Sequence, residues 1–307
     1  MKQEVYLIPS YRCNLNCPHC QIATTSNEDF SAFLKAYETI NSDIKNQNDI
    51  SYILFGGEPL LNGYDKIKQL IDFGKKLNKP ICTTTSNLLL LDDKMLDLLL
   101  ENNIIIGTSW NPHRFTAEQE ELWFKNIQKI ADRKTNVALF VTLTYDLFRS
   151  NFPNILDKLE KIGNVASVTL NPYIPGSDKL REETDKYLCY LDDIWRWKIR
   201  FLLRENYQNI LSQDLINICH SCLGVKTIEP NGNIKSGCAH EGNEHGIFEK
   251  CFDCKYKSLC LHAKCPKQPV CNFFDKFYEQ IIAKYKLNHV NGTSVTKLTE
   301  MQIFSSL

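Results

Sequence analysis

The chain has 307 residues, 43% of them hydrophobic and 23% charged, which is the range of a soluble globular protein with one full core and room for a smaller appendage. Its 36 Lys and Arg balance 36 Asp and Glu, which excludes both the basic excess of a nucleic-acid binder and the acidic excess of a solvating tail. No apolar run approaches the ~20 residues of a membrane helix, and the N-terminus enters a strand-like segment without a signal-peptide apolar stretch. The expected location is therefore cytoplasmic, with neither nucleic acid nor membrane as partner. In that compartment disulfides are rare, and close cysteine spacings point to metal or catalysis.

Nearly continuous apolar runs of strand length lie at Val5–Pro9, Ile53–Phe55, Ile81–Thr85, Ile104–Ser109, Val137–Leu143 and Val165–Leu170. Such runs suit parallel strands covered on both faces. Helical patterns separate them. Phe30, Phe33, Leu34 and Tyr37 repeat at i, i+3, i+4, i+7; Thr116 with Gln119 forms a capping box for a helix through Ile130; further helices fall near 64–77, 92–102 and 152–162. Six β/α units in order predict an α/β fold, a (β/α)6 partial TIM barrel with a small cysteine-rich C-terminal domain. The expected boundaries are a barrel core over 1–176, a helical, aromatic-rich bridge over 177–214, a cysteine-dense segment over 215–287 and a tail over 288–307. The stretch 215–275 is expected to hold little regular structure, with a helix following at Asn272–Lys286. Chemistry in such folds belongs to the loops at the C-terminal ends of the strands.

The 13 cysteines are unevenly placed: three fall between 13 and 20, eight between 219 and 271, and Cys82 and Cys189 stand alone. Cys13, Cys17 and Cys20 follow the first strand at spacings of three and two intervening residues. A four-iron cube normally takes four cysteines, so three from one loop leave an iron open to a small molecule. Structural zinc, the alternative, wants a fourth nearby ligand, and His19 between Pro18 and Cys20 is badly placed to be one. Behind the second strand stands Phe55-Gly56-Gly57-Glu58-Pro59. Paired glycines let backbone approach a ligand closely, and a carboxylate pairs with an ammonium.

The three-cysteine loop and the Gly-Gly-Glu segment together resemble the radical S-adenosylmethionine superfamily. The resemblance implies that Cys13, Cys17 and Cys20 hold a [4Fe–4S] cluster whose open iron takes S-adenosyl-L-methionine. It further implies that Gly56, Gly57 and Glu58 hold the methionine amino group and that His19 packs near the adenine. By analogy Asn87, Ser109 and Asn171 contact ribose or carboxylate, with a structural polar role at a strand end as the alternative.

The C-terminal group, Cys219, Cys222, Cys238, Cys251, Cys254, Cys260, Cys265 and Cys271, resembles the SPASM extension of peptide- and protein-modifying radical enzymes. The Cys260–Cys265 and Gly232–Cys238 spacings are each one residue longer than usual there. The resemblance implies two auxiliary [4Fe–4S] clusters, one on Cys219, Cys222, Cys238 and Cys265 and one on Cys251, Cys254, Cys260 and Cys271, making three clusters in all. A pair of zinc sites is the alternative. Cys82 reads as an inert thiol, and Cys189 as a candidate hydrogen-atom donor.

The expected activity is reductive cleavage of S-adenosylmethionine followed by hydrogen abstraction from a ribosomal peptide or protein, giving a thioether, a carbon–carbon crosslink or an epimerised residue. The auxiliary clusters would relay electrons. An oxidoreductase or epimerase acting on a sugar or aminoglycoside is the alternative. With the first strand starting near residue 4, a separate leader-binding protein is an expected partner, as is an external electron donor such as flavodoxin or ferredoxin. Trp110, His113, Arg114, Tyr145 and Tyr173 are candidate substrate contacts.

Overall fold

The computed structural model describes residues 3–17, 20, 27–40, 50–143, 145–172 and 225–236. Six strands run parallel in chain order: β1 (Gln3–Leu7), β2 (Ile50–Leu54), β3 (Ile81–Ser86), β4 (Ile105–Ser109), β5 (Val137–Leu143) and β6 (Val165–Pro172). Between them lie α1 (Phe30–Thr39), α2 (Gly63–Lys76), α3 (Asp93–Glu101), α4 (Ala117–Asp132), the single turn α5 (Tyr145–Phe148) and α6 (Phe152–Ile162). Each strand pairs with its successor, as right-handed β/α crossovers require. The sheet ends at β6 and stays open as a partial barrel. Among the described residues no helix is long and apolar enough to cross a membrane.

Local chemistry explains the helix ends. The Thr116 hydroxyl accepts from the Gln119 amide at 3.3 Å, and the Gln119 side-chain oxygen accepts from the Thr116 amide at 3.0 Å, completing the capping box that opens α4. Asp29 and Asp92 cap α1 and α3 with side-chain oxygens that accept from the Ala32 and Met95 amides. Apolar faces then turn inward: Val5, Leu7, Tyr52 and Leu54 of the sheet pack with Phe33 and Tyr37 of α1 and Ile67, Leu70 and Ile71 of α2. Burying each such side chain contributes about 1.5–3 kcal/mol. Trp123, fully buried in α4, satisfies its indole N–H on the Thr108 hydroxyl at 2.9 Å.

One segment departs from expectation. Within the stretch expected to be irregular, β7 (Val225–Ile228) pairs parallel with β1, and β8 (Ile234–Ser236) returns antiparallel to β7. The sheet order becomes β6-β5-β4-β3-β2-β1-β7-β8. The sequence signal was the turn cluster Pro230-Asn231-Gly232-Asn233 between two short Val/Ile/Thr runs. Gly232 sits at φ 84°, the left-handed conformation that such a turn requires.

Candidate metal and cofactor site

The loop leaving β1 carries the first three cysteines, and the segment leaving β2 is its floor. The ladder between β1 and β2 continues past both strands: the Phe55 amide donates to Leu7 O at 2.9 Å, Gly57 to Ser10 O at 3.3 Å and Glu58 to Arg12 O at 2.8 Å. The approach is so close that a Cβ on Gly56 would lie 2.4 Å from Ser10 O, and one on Gly57 2.2 Å from Arg12 O. Glycine was expected here so that backbone could approach a ligand. In the fold the partner at that distance is the cysteine loop itself.

Glu58 is 1% exposed and joins three elements. Its Oε1 accepts from the Leu60 amide at 3.0 Å and the Ser86 hydroxyl at 2.7 Å, and its Oε2 accepts from the Asn87 amide at 2.7 Å. Burial pushes its carboxyl above the ordinary range, opposed by those three hydrogen bonds and by the Arg114 guanidinium. A carboxylate offers about four acceptor positions, so roughly one is left over. Asn87, also buried, donates its side-chain amide to Asn14 Oδ1 at 2.7 Å and accepts from the Leu89 amide at 3.0 Å. Asn14 follows Cys13 directly, so the chain Glu58–Asn87–Asn14 runs from the end of β2 through the end of β3 to the cysteine loop.

The loop is pinned at its base as well. The Ser10 hydroxyl donates to Glu28 Oε1 at 2.5 Å, and Arg12 Nε pairs with the same oxygen at 3.3 Å. Inside it, the Cys20 amide donates to Cys17 O at 3.0 Å and the Leu15 amide to Cys13 Sγ at 3.4 Å. Cys13 and Cys20 are exposed, Cys17 is half-buried, and all three thiols are free. Partial burial raises the Cys13 and Cys17 thiols above their ordinary value, and Arg114 pulls both back. Among the described residues no three Cys, His, Asp or Glu side chains converge tightly enough to hold one metal ion. Three free thiols on one short loop can each offer a thiolate to a different iron of a cluster.

Residues 7–111, from the end of β1 to the loop after β4, match the model of the Radical SAM superfamily. This is a radical SAM domain. In overall fold the chain is similar to native anSMEcpe with bound AdoMet, at a TM-score of 0.63 and 14% identity, over 91% of this chain and 97% of that one. It is also similar to Streptococcus suis SuiB bound to S-adenosylmethionine, at a TM-score of 0.50 and 16% identity, over 91% and 65%. In sequence it is 31% identical over 102 residues to the uncharacterized protein MJ0907 of Methanocaldococcus jannaschii, covering 32% of this chain and 35% of that one. An uncharacterized protein of Methanothermobacter thermautotrophicus is 29% identical over 117 residues, covering 36% and 43%. The chain thus spans under half the length of these two curated relatives.

The remaining expected residues fall in different places around the radical SAM domain. Ser109 ends β4, half-buried and paired with Phe140 in the β4–β5 ladder. Arg114 follows on the same loop. Its Nε is buried without an acceptor among the described residues, and its guanidinium lies 5.4 Å from the Phe115 ring centre. His113 is exposed, at φ 60°. Trp110, expected at the substrate, is instead core: it is 5% exposed, stacks on Phe152 at 5.4 Å and donates its indole N–H to Glu120 at 2.9 Å. Asn171 pairs with Thr142 in the β5–β6 ladder. Its side chain, that of Tyr145, and all of His19, Tyr173, Cys189 and the eight C-terminal cysteines lie outside the described residues. Asn14, Ser10 and Glu28 went unnoticed in the sequence because polar residues in loops carry no periodic signal.

Proposed function

We propose that the chain is a radical SAM enzyme that abstracts a hydrogen from a peptide or protein substrate, with Cys13, Cys17 and Cys20 as ligands of its first [4Fe–4S] cluster. The observation that carries this reading is the seating of the three-thiol loop on Gly56-Gly57-Glu58. A cluster held by Cys13, Cys17 and Cys20, with a sulfonium cofactor beside it, would supply reductive C–S cleavage and hydrogen-atom abstraction there. The chain's own residues hold the geometry. The loop presents three thiolates from one side, while Glu58 and Asn87 fix the loop to two strand ends. Arg114, whose Nε has no acceptor among the described residues, and Ser109 at the end of β4 offer donors suited to carboxylate or hydroxyl groups. His19 and Asn171 are the further cofactor contacts of this reading.

Support for a peptide substrate comes from the fold likeness to native anSMEcpe with bound AdoMet and Kp18Cys peptide, at a TM-score of 0.59 and 14% identity, over 91% of this chain and 97% of that one. The eight cysteines from 219 to 271 would hold two auxiliary [4Fe–4S] clusters as electron relays, in the manner of the SPASM extension. A flavodoxin- or ferredoxin-type donor and a separate leader-binding protein complete the proposed cytoplasmic system.

The test is anaerobic reconstitution of the full chain. The wild type should bind about twelve irons, and on reduction should convert S-adenosylmethionine to 5′-deoxyadenosine faster with peptide than with sugar present. C13A/C17A/C20A should lose about four irons and all cleavage. Zinc in place of iron, or cleavage surviving in the triple variant, would sink the proposal.

A further inference from the structure

The cysteine loop is held from outside the radical SAM domain as well as from within it. The turn between β7 and β8 touches both of its feet. At the first foot, Tyr11, two residues before Cys13, donates its hydroxyl to Glu229 Oε1 at 2.8 Å across 218 positions of sequence. The same oxygen takes Lys235 Nζ at 2.6 Å, so one carboxylate locks the hairpin on itself and on the loop. The Ile8 amide donates to Ile228 O at 3.0 Å, carrying the β1–β7 ladder up to the loop's start.

At the second foot, where the chain enters α1, the Asp29 amide donates to Pro230 O at 2.9 Å. Gly232 there meets the α1 backbone so closely that a Cβ would lie 2.7 Å from Ala32 C and O. The turn keeps its own shape, since the Gly232 amide donates to Glu229 O and the Glu229 amide to Asn233 O, both at 2.9 Å. One turn thus bonds to the chain on both sides of the cysteine loop, at Tyr11 and at Asp29.

We propose that the β7–β8 turn is a clasp for the iron-binding loop, with Glu229 as a positioning residue that sets how the three thiolates meet their cluster. The proposal rests on the reading of Cys13, Cys17 and Cys20 as iron ligands. Glu229 touches no reacting group. It acts through Tyr11 on the loop, as outer-shell partners of metal ligands do.

The experiment uses the full-length, anaerobically reconstituted protein. It reads two quantities: the rate at which reduced protein gives up iron to bathophenanthroline disulfonate, and the change of the reduced-cluster EPR signal on adding S-adenosylmethionine. In E229A and in Y11F the S-adenosylmethionine-responsive iron should be lost about tenfold faster than in wild type, with a broadened signal. Because Y11F removes only a hydrogen bond that E229A also removes, Y11F/E229A should be no faster than E229A alone. E229Q, which keeps an acceptor for Tyr11, should restore the wild-type signal and rate. Wild-type behaviour of both single variants, additive effects in the double variant, or E229Q behaving as E229A would each overturn the clasp. If E229A fails to fold, Y11F, which loses a single hydroxyl, decides alone. A responsive EPR signal that persists in C13A/C17A/C20A would refute the iron-ligand reading, whatever the other variants do.

Discussion

Glu58 shows how one buried carboxylate can serve structure and site together. Three donors converge on it, from Leu60, Ser86 and Asn87, and removing the carboxylate leaves all three buried without an acceptor. Glu58→Ala should therefore lower unfolding stability by about 3 kcal/mol, near the upper end for a point change. Glu58→Gln should cost less, about 1–2 kcal/mol, because its one oxygen still serves Leu60 and Ser86 while its amide meets the Asn87 N–H donor to donor. Guanidinium unfolding of the apoprotein would measure both, and an Ala variant as stable as wild type would refute the hub. The carboxylate's importance was legible in Gly-Gly-Glu, but its partners were not. Ser86 and Asn87 lie 28 and 29 positions away, and only the β2–β3 pairing brings them near.

At the scale of elements, the barrel was readable because each signal was local. Apolar runs marked six strands, i/i+3/i+4 spacing marked the helices, and Thr116 with Gln119 fixed the start of α4. The β7–β8 hairpin escaped because its strands are four and three residues long, too short for alternation to stand out. Trp110 was misread for a different reason. An aromatic residue just past a strand suits a binding loop and a core equally, and the stacking on Phe152 that decides between them is long-range. The hairpin's fit against α1 yields a prediction of its own. Gly232→Ala would force a left-handed φ of 84° on a residue with a Cβ and drive that atom into the Ala32 backbone. A loss of about 1–3 kcal/mol in urea unfolding is expected. Asn231→Ala, one position earlier and exposed, should cost much less, and equal losses would argue against a packed contact.

Across the whole molecule, the sheet joins the strand before the first cysteine loop to a hairpin flanked in sequence by two of the C-terminal cysteines. Cys222 precedes Val225, the first residue of β7, by three positions, and Cys238 follows Ser236, the last of β8, by two. A cluster ligated by these cysteines would tether both open ends of a hairpin that is bonded to β1 along four registered pairs. Metal binding couples to folding wherever ligands close a segment that lacks a core of its own. Cys222→Ser/Cys238→Ser should then raise hydrogen exchange selectively. Amides of β7, β8 and the turn 229–233 should lose about tenfold in protection, while β3, β4 and β5, on the far side of β2, keep theirs. The cysteine loop should open with the hairpin, because Tyr11 and Asp29 both bond to its turn. Uniform deprotection of every strand would mean that the barrel and hairpin unfold as one unit, and unchanged protection would mean that these two cysteines do not hold the hairpin.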